Sequence, residues 1–219
     1  MKKHFEAMGK AGVMLAVFAL ISVLFIATTN TLTKDKIAEN KARTLLQKLN
    51  EVAPQDSYDN DLANSKFILT KQDTGFDRDT PVYLATRNGK PVTAIFEVTT
   101  LKGYSGAITM LVGVNSNDLR ISGVRITQHA ETPGLGDKME TRKSNWVLGF
   151  NSKSLSNLKI SGWQVKKDGG EFDQFTGATI TPRAIVNAVK TTLLYAQDHM
   201  GDVFDQLKIT NKTSQKDKQ

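Results

Sequence analysis

The chain has 219 residues, a formal net charge of +7, no cysteine and three histidines. The lack of cysteine excludes disulfides, thiolate zinc sites, iron–sulfur clusters and cysteine nucleophiles, and so few histidines disfavour a metal centre. The P-loop and HExxH motifs do not occur, and the positive charge is spread along the chain, so we predict neither those enzyme classes nor nucleic-acid binding.

The N-terminal segment from Ala11 to Thr29 is apolar and uncharged. A helix rises about 1.5 Å per residue, so this segment nearly spans the ~30 Å hydrocarbon core of a bilayer. The alternative is a cleaved signal peptide, whose apolar core is usually about 7–15 residues long and ends at paired small residues. Such residues are missing from the sequence that follows, TTNTLTKDK. We therefore predict a retained transmembrane anchor over residues 11–32.

Lysines and arginines lie on both sides of the anchor, so their count does not decide its orientation. Long domains after an anchor cross the membrane largely regardless of charge, and a short basic tail most simply stays in the cytoplasm. We therefore predict a single-pass protein of the cell inner membrane. Its residues 1–10 would be cytoplasmic, and its C-terminal domain would lie on the periplasmic side.

A helix and a series of strands are predicted after the anchor. Apolar residues on one side predict a helix over Ile37–Val52, which Pro54 ends. Asn88-Gly89 is typical of a tight hairpin turn between two strands. The predicted strands are Lys66–Thr70, Val82–Ala85, Val92–Val98, Ala107–Val114 and Leu119–Thr127.

Two further helices are predicted toward the C-terminus. A short one covers Lys138–Phe150, and a long amphipathic one follows Thr181 as a hydroxyl N-cap and Pro182 at the first helical position. Together these elements predict an α+β fold, in which an antiparallel sheet with packed helices follows the anchor. The predicted regions after the anchor are a membrane-proximal helix and linker at 33–60, the sheet domain at 61–210 and a polar tail at 211–219.

Three glycine-containing segments are candidates for a functional site: KGYSG at 102–106, HAETPGLGDK at 129–138 and KKDGGEFDQFTGATITP at 166–182. In the third, small residues and threonines lie directly before the predicted helix. The positive end of a helix and its unpaired N–H groups bind phosphate, and small residues let a planar group approach the backbone. The segment therefore predicts an anion or phosphate-ester site, although an ordinary loop with a helix cap would explain the same residues.

The second segment also has two interpretations. His129 and Glu131 share one face of an extended chain, and such a pair could bind a metal, but no third ligand lies nearby in the sequence. We therefore predict no metal site. A turn at residues 132–134 followed by Leu135 suits the lining of a flat, partly apolar ring, or simply a rigid connection. Tyr104 in the first segment is likewise either a stacking platform or a packed aromatic residue.

The third segment contains D-x-x-[ST]-G-A-[ST], the pattern that flavin transferases modify, as DQFTGAT at residues 173–179. Together with GYSG, HAETPGLGDK and KKDGGEFDQ, this pattern resembles the covalent-FMN-binding domain of membrane redox pumps. That family includes the G subunit of Rnf/Rsx-type ion-translocating electron transport complexes and, more distantly, the C subunit of the sodium-translocating NADH:quinone reductase. The resemblance extends over the anchor and most of the outer domain.

The resemblance implies a role for each motif residue. Thr179 would bind FMN covalently, through a phosphoester to its hydroxyl oxygen. Asp173, Thr176, Gly177 and Ala178 would be recognised, with Thr179, by the transferase that takes FMN from FAD. Further candidates for the flavin pocket are Tyr104, His129, Glu131, Thr132, Leu135 and Thr181.

The resemblance also implies an electron-transfer subunit of a membrane-bound oxidoreductase that couples electron flow to Na⁺ or H⁺ movement. Its partners would be the other subunits of the complex, the lipid bilayer and, during maturation, the FAD-dependent FMN transferase. The chain alone would lack a complete active site, and its span contains no charged residue that could conduct ions. The alternatives are a stand-alone membrane-anchored flavin reductase, with His129 or Glu131 as its acid, and a non-redox module that binds a phosphate or a polymer.

Overall fold

A computed structural model describes the backbone of residues 2–216 and the side chains of residues 9–10 and 12–206. The chain divides into two compact units, Met1–Leu45 and Leu46–Gln219. Helix α1 (Lys2–Val52) accounts for the described part of the first unit, and its last turns belong to the second.

Within the described residues, one helical segment, Gly12–Val52, is long and apolar enough to cross a membrane by length and composition. Its hydroxyl groups bond to the backbone of the same helix: Ser22 Oγ donates to Phe18 O at 2.8 Å and Thr28 Oγ1 donates to Leu24 O at 2.7 Å. Bonds of this kind satisfy a hydroxyl without water. The segment therefore has the properties expected of an anchor, whose predicted boundaries stay a prediction.

The second unit is built on a five-stranded sheet in which each strand pairs antiparallel with the next one along the chain. Asn88 and Gly89 connect the second and third strands with φ angles of 51° and 70°, the left-handed geometry of a tight hairpin turn. The sheet confirms the predicted α+β class. Its strands are β1 (Lys66–Leu69), β2 (Thr80–Arg87), β3 (Lys90–Thr100), β4 (Ile108–Asn115) and β5 (Ile121–Gln128).

Two α-helices and several 3₁₀ helices complete the second unit. The α-helices are α2 (Lys71–Thr74) and α3 (Ile180–Lys216), which extends into the segment predicted as a polar tail. The connection between the strands and α3 is therefore made mostly of turns and single helical turns. The 3₁₀ helices are Gln55–Ser57, Asp137–Met139, Trp146–Phe150, Ile160–Gly162 and Lys166–Asp168.

The predicted short helix over Lys138–Phe150 is wrong. The structure has two 3₁₀ helices in this region, Asp137–Met139 and Trp146–Phe150, with turns between them. Ser144 Oγ donates to the carbonyl oxygen of Lys138 at 2.6 Å. Because a serine hydroxyl competes for backbone groups in this way, it favours a turn over a continuous helix.

The predicted N-cap role of Thr181 is also wrong, because helix α3 already begins at Ile180. The Thr181 hydroxyl donates instead to the carboxylate of Glu131, which is far away in the sequence. Pro182 still lies in the first turn, where its missing N–H would have no partner within the helix. The helix start is therefore fixed by a tertiary contact that the local sequence does not show.

The two faces of the sheet are covered by different helices. Ile185, Val189 and Leu193 of α3 are buried in the main core on one face. On the other face, Gly113 of β4 pairs with Gly123 of β5 beneath the end of α1. A Cβ atom on Gly113 would lie 2.3 Å from Cγ1 of Val52, so only glycine lets this helix end lie directly on the sheet.

Candidate functional site

The carboxylate of Glu131 joins the three glycine-containing segments. Its side chain is buried, with 5% of the residue exposed. Oε1 accepts a hydrogen bond from the backbone N–H of Ser105 at 3.0 Å, and Oε2 accepts one from the Thr181 hydroxyl at 2.7 Å. Since a buried carboxylate needs such donors, these bonds hold the first segment and the start of α3 against the second segment.

Two glycines leave the space that this carboxylate occupies. A Cβ atom on Gly103 would lie 2.9 Å from Glu131 Oε1, and one on Gly136 would lie 2.7 Å from Oε2. Any side chain at these positions would displace the carboxylate or the backbone around it. Gly103 of the first segment and Gly136 of the second therefore allow the loops to pack closely around Glu131.

His129 connects the backbone of Glu131 to the side chain of Glu140. His129 Nδ1 accepts a hydrogen bond from the backbone N–H of Glu131 at 3.1 Å, and Nε2 lies 2.6 Å from Glu140 Oε1. The hydrogen bond from Arg142 lowers the pKa of Glu140; burial opposes this effect, the His129 bond adds to it, and the resulting pKa is about 2. Among the described residues, no group of three or more His, Cys, Asp or Glu side chains is placed to hold a metal ion.

The lowered pKa of Glu140 predicts a pH-dependent contribution to stability. Since the folded state depresses this pKa from 4.5, the stabilisation is present above about pH 4.5 and is lost as the pH falls toward about 2. We expect Glu140→Gln to be less stable than the wild-type chain at pH 7, with the difference shrinking in acid. Urea unfolding midpoints between pH 7 and pH 3 measure it.

Asp118→Asn is the control for this experiment, because Asp118 forms an exposed ion pair with Arg120. Exposed pairs contribute little to stability, so this variant should keep the wild-type pH dependence. A constant difference between Glu140→Gln and wild type over the whole pH range would contradict the role assigned to Glu140.

The motif residues form a tight turn immediately before α3. The N–H of Ala178 donates to the carbonyl oxygen of Phe175 at 3.1 Å, and Gly177 has a φ of 79°. A third turn residue in this left-handed region favours glycine. A Cβ atom on Gly177 would lie 3.5 Å from Leu135 Cδ2, so the turn also contacts the second segment.

We expect Gly177→Ala to lower the free energy of unfolding by about 1–2 kcal/mol, because alanine resists a left-handed backbone. The nearest atom to the new Cβ is at an ordinary contact distance, so steric overlap adds little. Gly149→Ala is the matched control, since Gly149 lies in open space and does not have a positive φ. Urea unfolding compares the variants, and equal effects of both would refute the conformational argument.

Thr179 lies between this turn and the first turn of α3. Its side chain is partly exposed, and its carbonyl oxygen accepts the N–H of Arg183 at 3.3 Å. The first backbone N–H groups of a helix have no partners within the helix, and the macrodipole places partial positive charge there. A phosphodiester on the Thr179 hydroxyl fits this donor set, because it would bring one negative charge to the helix terminus.

The remaining predicted pocket residues fall into two groups. Tyr104, Thr132 and Leu135 are exposed, with 70% of Tyr104 and 43% of Leu135 accessible to solvent. Glu131 and Thr181 are bonded to each other inside the protein. The structure therefore places the exposed Leu135 beside the motif turn, while Glu131 and Thr181 form a buried polar pair at the start of α3.

Two aromatic residues at the site were not predicted. The Trp146 indole N–H donates to the carbonyl oxygen of Asp173 at 2.7 Å, and its ring packs edge-on against Phe175 with centroids 4.9 Å apart. Phe175 occupies a variable position of the motif, and Trp146 lies in the segment that was predicted to be helical. Trp146 begins an apolar run that extends to Phe150, so the sequence alone contains no signal that it belongs to the site.

A separate cleft of about 1080 Å³ lies beside β1, the β2–β3 turn and the C-terminal part of α3. Its lining includes Phe67, Pro91 and Met200, together with several asparagines. None of the predicted site residues lines this cleft. The chemistry indicated by the sequence and this cleft therefore belong to different parts of the domain.

Comparisons with known proteins identify the families that this chain is similar to. Residues 103–194, which include all of the predicted site residues, match the family model of the FMN-binding domain. Residues 1–52 match the family model of the RnfG N-terminal region. The class of protein is therefore that of FMN-binding-domain proteins with an RnfG-type N-terminus.

Curated relatives are similar over nearly their whole length. The G subunit of the ion-translocating oxidoreductase complex of Photorhabdus laumondii is 49% identical over 192 residues, which cover 88% of this chain and 91% of the relative. The G subunits from Pseudoalteromonas atlantica and Vibrio cholerae are 48% and 44% identical, each over 200 residues. These alignments cover 91% of this chain in both cases and 93% and 95% of the two relatives.

The chain belongs to the family of G subunits of ion-translocating oxidoreductase complexes. The predicted family resemblance and the predicted class, a component of an oxidoreductase complex, are thereby confirmed. Among solved structures, Shewanella oneidensis NqrC is similar with a TM-score of 0.43 and 24% identity, covering 71% of this chain and 73% of that chain.

Proposed function

We propose that this chain is the electron-transfer subunit of a membrane-bound ion-translocating oxidoreductase complex and that it holds FMN covalently through a phosphoester to Thr179. The observation that supports the attachment most directly is the position of Thr179. It is the last residue of a complete transferase motif, it is partly exposed, and it directly precedes the N-terminus of α3. The match of residues 103–194 to the FMN-binding domain supports the choice of cofactor.

The surroundings of Thr179 offer donors that would stabilise a phosphoester. The negative charge of a phosphodiester at a helix N-terminus is stabilised by about 0.3–1 kcal/mol when exposed. The Thr176 hydroxyl and the N–H groups of the first turn of α3 would hold the phosphate. Glu131 lies beneath the helix start, where it holds Thr181 and leaves the outer side of the turn free.

The ring would lie against the exposed residues Tyr104, Thr132 and Leu135. When bound, FMN supplies reversible one- and two-electron chemistry. Attachment through the phosphate leaves the ring chemically unmodified, so this chain's residues act by orienting the ring and controlling its contact with water. A covalent bond also prevents loss of the cofactor by dilution outside the cytoplasm.

The relatives are named as components of ion-translocating oxidoreductase complexes, which supports other subunits of such a complex as the partners of this chain. We place the apolar segment within Gly12–Val52 in the cell inner membrane and the second unit on the periplasmic side. Tethering by the anchor would raise the effective concentration of the flavin near its redox partners. An FAD-dependent transferase would attach the FMN during maturation.

The test is mass spectrometry of the chain extracted from its native membranes. We expect the intact mass to include one FMN less one water and to retain the N-terminal segment, and we expect peptide mapping to place the FMN on Thr179. A chain without flavin would instead indicate a non-redox binding module. Purification of a flavin-loaded chain without any partner subunits would favour a stand-alone flavin reductase.

A further inference from the structure

The segment between Phe172 and Phe175 is clasped by one side chain from outside the motif. Trp146 Nε1 donates to the Asp173 carbonyl oxygen at 2.7 Å, and the Trp146 ring packs against the Phe175 ring at a centroid distance of 4.9 Å. A single side chain thus holds the first residue of the motif by its backbone and the third by its ring.

This clasp, formed by the contacts of Trp146 with Asp173 and Phe175, also packs against the core. The Trp146 ring also packs edge-on against Phe150 at 5.3 Å, and Phe150 stacks on Phe172 at 4.5 Å. Phe150 is completely buried and Phe175 is 5% exposed. Because interiors are closely packed, the core residues fix the position of Trp146. Trp146 in turn fixes the positions of Asp173 and Phe175 through its hydrogen bond and its ring contact.

The outer side of the same segment is free for recognition. The Asp173 side chain is 68% exposed and forms a surface ion pair with Lys166 at 2.7 Å, which contributes little to stability. Gln174, Thr176 and Gly177 are also exposed. The Trp146 bond uses the backbone of Asp173, so its carboxylate remains available to another protein.

We propose that Trp146 is a positioning residue for flavin attachment, which presents the motif to the transferase as a preformed turn. This inference rests on the proposed function. In the reaction, Thr179 Oγ1 forms a bond to the riboflavin-bearing phosphorus of FAD, the bond from that phosphorus to the bridging oxygen breaks, and AMP leaves with that oxygen. The hydroxyl proton passes to the medium, and nothing is oxidised or reduced.

Preformation affects how the transferase binds the motif. The fixed motif residues on either side of the variable pair, Asp173 and Thr176, must reach the transferase together with Thr179. Ordering the intervening backbone during binding would cost conformational entropy, which a preformed turn avoids. Loss of the clasp should therefore weaken recognition of the chain more than it slows transfer within the bound complex.

The test uses the full-length chain in detergent, produced without flavin, together with a flavin transferase and FAD. Initial rates of covalent flavin uptake are measured as a function of chain concentration for the wild type, Trp146→Phe and Trp163→Phe. Trp146→Phe keeps an aromatic ring but removes the N–H. We expect its KM to rise roughly three- to tenfold, with kcat within about twofold of wild type.

Trp163→Phe is the matched control. The Trp163 indole N–H also donates to a backbone carbonyl, that of Leu158 at 3.3 Å, and its ring lies in the same aromatic cluster. It has no bond to the motif residues themselves. We expect this variant to keep the wild-type KM, and equal KM changes in the two variants would show a purely structural effect and overturn the positioning role.

Hydrogen exchange of the unmodified chain gives a second measurement that does not depend on flavin uptake. The Ala178 amide should be protected in the wild type and exchange faster in Trp146→Phe. Exchange in the wild type as fast as in an unfolded peptide would overturn the preformed turn. If the wild-type turn is protected but Thr179 accepts no flavin, the proposed function fails and the positioning role fails with it.

Discussion

Thr179→Ala is expected to abolish covalent flavin while leaving the fold intact. The substitution removes the hydroxyl that would form the ester, which is the one at the last position of the motif. The side chain is only partly buried, so its loss should change stability by no more than about 1 kcal/mol. The measurement is flavin fluorescence of the denatured chain on a gel after co-production with the transferase.

Thr179→Ser separates the loss of the hydroxyl from a general disturbance of the loop. Serine keeps the nucleophilic oxygen and satisfies the motif, so this variant should retain fluorescence. Persistence of the signal in Thr179→Ala, or a flavin-bearing peptide that lacks residue 179, would falsify the assignment of the attachment site.

Glu131→Ala is expected to be the most destabilising substitution at the site. It leaves the Ser105 N–H and the Thr181 hydroxyl without their acceptor, and a buried unsatisfied donor costs about 1–3 kcal/mol. With two such donors, the total loss should be about 2–6 kcal/mol. Flavin uptake should fall as well, because the start of α3 loses its support, and urea unfolding of the full chain measures the stability.

Glu131→Gln keeps one oxygen acceptor and the shape of the side chain, so its stability should lie between those of Glu131→Ala and the wild type. Glu97→Ala serves as the second control. The Glu97 carboxylate accepts a bond from the Tyr83 hydroxyl at 3.0 Å. If Glu97→Ala reduced flavin uptake as much as Glu131→Ala, the specific support of the site by Glu131 would be refuted.

The sequence predicted those features that depend on neighbouring residues. Asn88-Gly89 favours a tight turn whatever surrounds it. Strand β2 ends directly before this pair and strand β3 begins directly after it. The hairpins and the α+β class were therefore accessible from local rules. The motif and its glycines likewise identified the segments of the candidate site, and the proposed roles of the individual residues remain to be tested.

The features that escaped prediction depend on contacts between distant residues. Thr181 has the usual chemistry of an N-cap, but its hydroxyl is bound to Glu131, fifty positions earlier in the chain. Trp146 is bound to Asp173, which follows it by 27 positions. Neither contact produces a periodic pattern in a single sequence, because each depends on which loops lie next to one another in the folded domain.

The glycine pair beneath Val52 has a consequence for the design of a shortened protein. Leu49, Val52 and Ala53 are buried and belong to the second compact unit, although Leu49 and Val52 lie on the same helix, α1, as the predicted anchor. A fragment that begins at residue 61, the predicted start of the sheet domain, would lack these residues. The apolar surface of the sheet that they cover would then be exposed to solvent and prone to association. A water-soluble fragment that keeps its native surface should therefore begin near Leu46.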